Sequence, residues 1–420
     1  MYKIINIGPL KLIHSPFFNF ETASLGVFLK TGARFEKKQE KGIAHFLEHM
    51  LFKGSHRYSY KKIKREIEGR GGILNGFTSQ EVTAYYAHFL KKNSLVTLDI
   101  LLDMVLNPIL SPQEVKKERG VILEEIKMYD DLPSSCAKTI LDSLLWEGHP
   151  LGQDIIGTQK SVQSITRKDL KNFKNKFYTP ANIVVSFCGD FPLKKIKNFI
   201  ENRISKKEKR KSIYQKKPTK LKGIKIKIEK KDTQQLQLCL GFRSIPYQSD
   251  KKIVQNLLHV LLGANMSSRL FESLREKKSL CYDISTEPKT FKDSGAFVIK
   301  LGLNKENLGI ALAVIKKELI KIKSRPIGKT ELTRAKDYFL GQFSMSLEQA
   351  QGRMFYSAQN YIKTTKIESL DEIIEQVRNV DCRKINDFAK ELFDFQNLAV
   401  SVVGNAEQDL AKKIKAQFPA

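Results

Sequence analysis

Two stretches about 215 residues apart, close to half the chain, echo one another: Asn182-Ile-Val-Val-Ser-Phe-Cys-Gly189 and Asn397-Leu-Ala-Val-Ser-Val-Val-Gly404. Each is an apolar strand that ends in glycine and runs into an amphipathic helical pattern. A weaker echo pairs Ser111-Pro-Gln-Glu114 with Gly328-Lys-Thr-Glu331. Alternating strand patterns, as in Ala84 to Phe89 and Ala296 to Leu303, mix with long helical ones in both halves. The fold this predicts is α+β: two similar domains related by an internal repeat, each a mostly antiparallel sheet packed with helices. A chain of 420 residues is too long for one ordinary core, which agrees with that division. The expected boundaries are a first domain over 1–204, a basic connector over 205–231 and a second domain over 232–420.

His45-Phe46-Leu47-Glu48-His49 spells H-x-x-E-H, an inverted zinc-protease signature. Residues four apart on a helix share a face one turn from each other, so both imidazoles can reach one metal ion. Glu48 is then close enough to hold a water against that ion. Five residues alone leave two readings open, a catalytic zinc site or a solvated helix face. Catalytic zinc takes three protein ligands and keeps one open position, so a third donor is required. The helical pattern from Glu118 to Ile126 offers Glu118, Glu124 and Glu125. Glu118 and Glu125 differ by two turns and share a face; Glu124 points elsewhere. Ordinary surface charge is the competing account of these carboxylates.

The chain resembles the pitrilysin and mitochondrial processing peptidase family of zinc metallopeptidases, and most of all its short bacterial members. The matches run from Thr31-Gly-Ala-Arg-Phe-Glu36 through the motif to Gly71-Gly-Ile-Leu-Asn75, His149-Pro-Leu-Gly152 and Tyr178-Thr-Pro-Ala-Asn182. They continue with Ser268-Arg-Leu-Phe271, Arg275 and Leu280-Cys-Tyr282. The resemblance implies that a glutamate roughly 76 positions past the last histidine, here Glu125, completes the zinc set with His45 and His49. It implies a supporting glutamate seven residues earlier, Glu118, and a substrate-contacting pair, Arg275 and Tyr282. Taken alone, that pair reads as a helix-surface arginine and a core tyrosine. The resemblance further implies one zinc per chain, an active site enclosed between two bowl-shaped halves, and short or unfolded polypeptides as substrates. A homodimer is expected, with a heterodimer of related chains as the alternative. Gly76 departs from the family's usual alanine, and Ser279 from its common glycine.

Asn75 and the strand after Gly71-Gly72 are placed to pair with an extended peptide, because adjacent glycines admit close backbone approach. In the second half the offset of the weaker echo, 217, carries Glu125 to Gln342 and the motif to Leu262 to Met266, so no ligand set survives there. The expected roles are zinc ligation by His45, His49 and Glu125 and general-base action by Glu48. Substrate contacts fall to Asn75, Arg275 and Tyr282.

Net charge of +28 invites a nucleic-acid reading, but the excess is concentrated in Ser205 to Lys231 and carries no recognition motif. It reads as a solvated segment with non-specific affinity for polyanions, and no specific nucleic-acid partner is expected. The five cysteines are scattered and never spaced as C-x-x-C, which argues against a disulfide framework or a cysteine zinc site. No stretch of about 18 apolar residues occurs, and the first ten residues are too polar for a signal peptide. A cytoplasmic, non-membrane protein is the expectation. Against the peptidase stand a catalytically inactive structural or assembly subunit of the same fold and a polyanion-binding module.

Overall fold

The computed structural model describes residues 2–204, 217–407 and 409–418. The chain divides into two compact units. One holds Met1–Lys127, Gln153–Gln215 and Ser344–Glu368; the other holds Met128–Gly152, Lys216–Phe343 and Ser369–Ala420.

The first unit is built on six strands: β1 (Lys3–Ile7), β2 (Leu10–Ser15), β3 (Thr22–Leu29), β4 (Ile73–Thr78), β5 (Thr83–Leu90) and β6 (Ile183–Cys188). Their order in the sheet is β1-β2-β6-β3-β5-β4. Only β2 and β6 run parallel; the other pairs are antiparallel. Every residue of β6 is buried, as a central strand covered on both faces requires, and this explains its mostly apolar run. Among the described residues β4 has a partner on one side and lies at the edge. Against one face of the sheet pack the helix α1 (Ile43–Leu51), through Phe46, Leu47, Met50 and Leu51, and the helix α2 (Pro112–Asp131), through Val115, Ile122 and Ile126.

The second unit repeats the plan with β7 (Lys225–Lys230), β8 (Leu236–Ser244), β9 (Cys281–Thr290), β10 (Gly295–Leu303) and β11 (Leu398–Gly404). Its order is β7-β11-β8-β10-β9. The repeated strands carry the same pairing. β6 lies parallel to β2 and antiparallel to β3; β11 lies parallel to β7 and antiparallel to β8. The fold is α+β with two similar, mostly antiparallel sheets, as the repeat predicts.

The units differ from the expected boundaries because two helices cover the sheet of the opposite half. The helix α3 (Pro133–Leu145) packs on β8 and β11, where Ser401 Oγ donates to the Ala137 carbonyl at 2.6 Å. The helix α4 (Ala350–Thr364) packs on β3 and β6, where Ser186 Oγ lies 2.9 Å from Ser357 Oγ. The physical cause is the second apolar face of each sheet. In the first unit Ile13, Phe28, Ala84 and Val184 need cover, which Met354, Ala358 and Tyr361 provide. Repeat-related glycines accommodate the close approach: a Cβ on Gly26 would stand 3.1 Å from Met354 Sδ, and one on Gly241 2.9 Å from Leu145 Cδ1. Part of the expected basic connector is strand. Residues 225–230 are strand β7, and 205–216 lie outside the described residues. No described helix is long and apolar enough to cross a membrane.

Candidate metal centre

α1 begins at Gly42, whose φ of 88° is left-handed and suits glycine. The free N–H groups of its first turn find a partner in Glu36, whose carboxylate accepts from Gly42 N at 2.8 Å and Ala44 N at 2.9 Å. Burial in that cradle pushes the Glu36 carboxyl up to about 8. His45 and His49 follow one turn apart, with ring centroids separated by 4.7 Å. Ile43, Phe46, Leu47, Met50 and Leu51 anchor the helix in the core.

Glu125, on α2, brings Oε2 to 3.7 Å from His45 Nε2 and 3.5 Å from His49 Nε2. One donor atom from each of the three falls within 4.8 Å of the others. These separations are too long for good hydrogen bonds. They fit three donors around a common ion, since two ligands about 2.1 Å from a tetrahedral centre stand roughly 3.4 Å apart. Glu125 Oε2 is buried and has no hydrogen-bond partner among the described residues, so a cation would satisfy it. Two imidazoles and one carboxylate are a donor set suited to zinc. Glu124 faces away as the helical spacing predicts and pairs with Lys127 at 2.7 Å.

Glu118 lies two turns before Glu125 and bridges outward: Oε2 is 3.2 Å from His49 Nδ1, and Oε1 is 2.6 Å from Lys53 Nζ. Burial would raise its carboxyl, but His49 and Lys53 outweigh burial and hold it below the usual range. Glu125 is lowered as well, first by its contact with His49. Burial disfavours charge on His49, yet the flanking Glu118 and Glu125 lift it to about 9. His45 moves the other way, to about 4, through burial and then the neighbouring His49. Surroundings that hold a proton on one imidazole also favour a divalent cation in its place.

Glu48 is 9% exposed, and burial raises its carboxyl. Thr78 Oγ1, at the end of β4, donates to Glu48 Oε2 at 2.7 Å. Asn75 is exposed on the same edge strand, its Oδ1 accepting from Gly76 N at 2.8 Å. Strand alternation sets Asn75 on the face opposite Thr78. Arg275 and Tyr282 belong to the second unit. The Arg275 guanidinium lies 4.8 Å from the Phe271 ring and 4.6 Å from the Tyr282 ring. Tyr282 is 77% exposed rather than a core residue. Two other histidines are satisfied inside the fold: His88 by Ser24 at 2.9 Å and His259 by Thr286 at 2.7 Å.

Sequence reasoning missed Thr78, Lys53 and Glu36. Lys53 was within reach, four residues past His49 on the line of the same helix face. Thr78 shares a strand face with Gly76, a signal that becomes usable only when β4 is known to lie beside α1.

Comparison with known proteins bears on the family. Residues 18–159 match the family profile described as Insulinase (Peptidase family M16), and residues 164–339 match the one described as Peptidase M16 inactive domain. A Bacillus subtilis protein named uncharacterized zinc protease YmxG is 33% identical over 91% of this chain and 94% of its own length. An uncharacterized zinc protease of Rickettsia felis is 32% identical over 89% of this chain and 90% of its own length. The crystal structure of a protease from Helicobacter pylori shares the fold, with a TM-score of 0.90 over 96% of this chain and 99% of that one at 22% identity. With the motif, the paired sheets and these relatives in view, the chain belongs to the M16, or pitrilysin, family of peptidases and to its short bacterial type.

Proposed function

We propose that this chain is a zinc-dependent endopeptidase that hydrolyses short or unfolded polypeptides. The observation that carries the reading is the convergence of His45, His49 and Glu125 beside a buried glutamate, Glu48, that takes no part in the donor set. One zinc ion held by those three donors would supply Lewis acidity, lowering the pKa of a water toward ~7 and polarising the scissile carbonyl.

The chain's own groups carry the rest. Glu118 accepts from His49 Nδ1, which leaves Nε2 turned toward Glu125. Glu48 accepts the water's proton and returns it to the departing amine. Burial raises its carboxyl, which makes it a stronger proton acceptor than an exposed glutamate. Among the described residues no strand pairs with the outer side of β4, where an extended polypeptide can add as a strand. Asn75, exposed on that strand, is proposed to contact the substrate. Arg275 and Tyr282, already in mutual contact, are proposed to contact the substrate. Assembly as a dimer and a cytoplasmic location belong to the same proposal.

A peptide-library digest by the purified full-length protein tests the reading. Cleavage that stops with a metal chelator and returns with zinc supports it. Cleavage indifferent to chelator contradicts zinc dependence, and absence of cleavage from zinc-loaded protein favours the inactive structural subunit.

A further inference from the structure

Glu48 receives one hydrogen bond among the described residues, and it comes from a strand rather than from its own helix. β4 reaches Glu48 through its register. Ile73, Asn75 and Phe77 face one side, where Phe77 stands 6.1 Å from Phe355 and 6.4 Å from Tyr86. Leu74, Gly76 and Thr78 face the other. There Leu74 packs against the core that contains α1, and a Cβ on Gly76 would stand 3.0 Å from the Phe52 ring. The hydroxyl of Thr78 therefore emerges on the side of α1.

Its backbone is pinned as well. Thr78 pairs with Thr83 in β5, and the turn between them is closed by Ser79 N on the Val82 carbonyl at 2.8 Å. Ser79 Oγ donates to the same carbonyl at 2.8 Å. A β-branched side chain is stiff about χ1, so the hydroxyl has little freedom to turn away. The glutamate it meets has three rotatable bonds and would otherwise sample several positions.

We infer that Thr78 is the positioning residue for the general base. By donating to Oε2 it fixes the Glu48 carboxylate and leaves Oε1 as the proton-accepting oxygen. Thr78 sits on the edge strand that would receive the substrate, so one strand sets the register of the peptide and the orientation of the base. The alignment such a tie protects is the kind that misplacement by a fraction of an ångström degrades. The inference rests on the peptidase reading above.

The test uses full-length, zinc-loaded protein and an internally quenched peptide, with zinc content and thermal midpoint measured for every variant. Thr78→Val keeps the shape and removes the hydroxyl. It is expected to lower kcat roughly ten- to a hundredfold while KM changes by less than about twofold and zinc content is unchanged. Thr78→Ser is expected to recover most of the lost kcat. Should the valine variant fold poorly, Thr78→Ser against Thr78→Ala reads the hydroxyl alone, because both lack the methyl group. A valine variant with wild-type kcat, or serine and alanine variants equally impaired, overturns the inference and leaves the peptidase reading standing. Wild-type protein without chelator-sensitive cleavage overturns both.

Discussion

The carboxylate of Glu118 stands 3.2 Å from Nδ1 of His49, on the side of the ring away from Glu125. A ligating histidine needs its second nitrogen occupied to hold tautomer and ring angle, and Glu118 does this while Lys53 compensates its charge at 2.6 Å. Replacing Glu118 with Gln should weaken zinc affinity by about 10- to 100-fold without removing a ligand. Lys53→Met should act in the same direction and less. Competition against a chelator of known affinity measures both; an unchanged affinity in Glu118→Gln would show that the contact is incidental.

Glu48→Gln should keep its zinc and lose peptide hydrolysis by a factor of about 10² or more. Paired metal analysis and turnover assays check this. Cleavage near the wild-type rate would remove Glu48 from the role of base.

Glu124 and Glu125 are adjacent in sequence and opposite in consequence. Glu125→Gln should lower both zinc content and activity, whereas Glu124→Gln should leave both near wild type, since Glu124 only pairs with Lys127 at the surface. Equal losses from the two substitutions would contradict the ligand assignment.

His259 lies in the second unit, where burial brings it down to about 4 although Glu287 nearby favours its charge and Lys300 opposes it. An imidazole whose folded pKa is depressed contributes stability above its unfolded value of about 6.5. That contribution is lost as pH falls toward 4, because the unfolded chain takes up a proton the fold refuses. The thermal midpoint should therefore drop with acidification across this window, and less steeply in His259→Gln. Parallel slopes for the two proteins would show that His259 does not drive the effect.

What could be read from the chain divides along local and non-local lines. His45 and His49 were legible because a four-residue spacing places both on one helix face whatever the surroundings. The same rule separated Glu125 from Glu124, although choosing Glu125 over Glu118 as the proposed ligand came from resemblance to a family. Strands β6 and β11 announced themselves through buried apolar runs. Thr78 stayed hidden because its role depends on the register Gly76 to Tyr85, which decides the face of β4 that meets α1. The exchange of α3 and α4 was hidden for a related reason. Their patterns say that one face is covered, and nothing local says by which sheet. The compact units accordingly take residues 133–145 and 350–364 from across the expected boundaries at 204 and 232.

X-ray absorption at the zinc edge, recorded on full-length protein loaded with one equivalent of zinc, reads the proposed centre most directly. Two imidazole nitrogens and a shell of oxygen at about 2.0–2.1 Å are predicted, with the imidazole signal halved in His49→Ala. A shell of oxygens without imidazole, a sulfur ligand at about 2.3 Å, or a spectrum indifferent to His49 would contradict a zinc centre built from His45, His49 and Glu125.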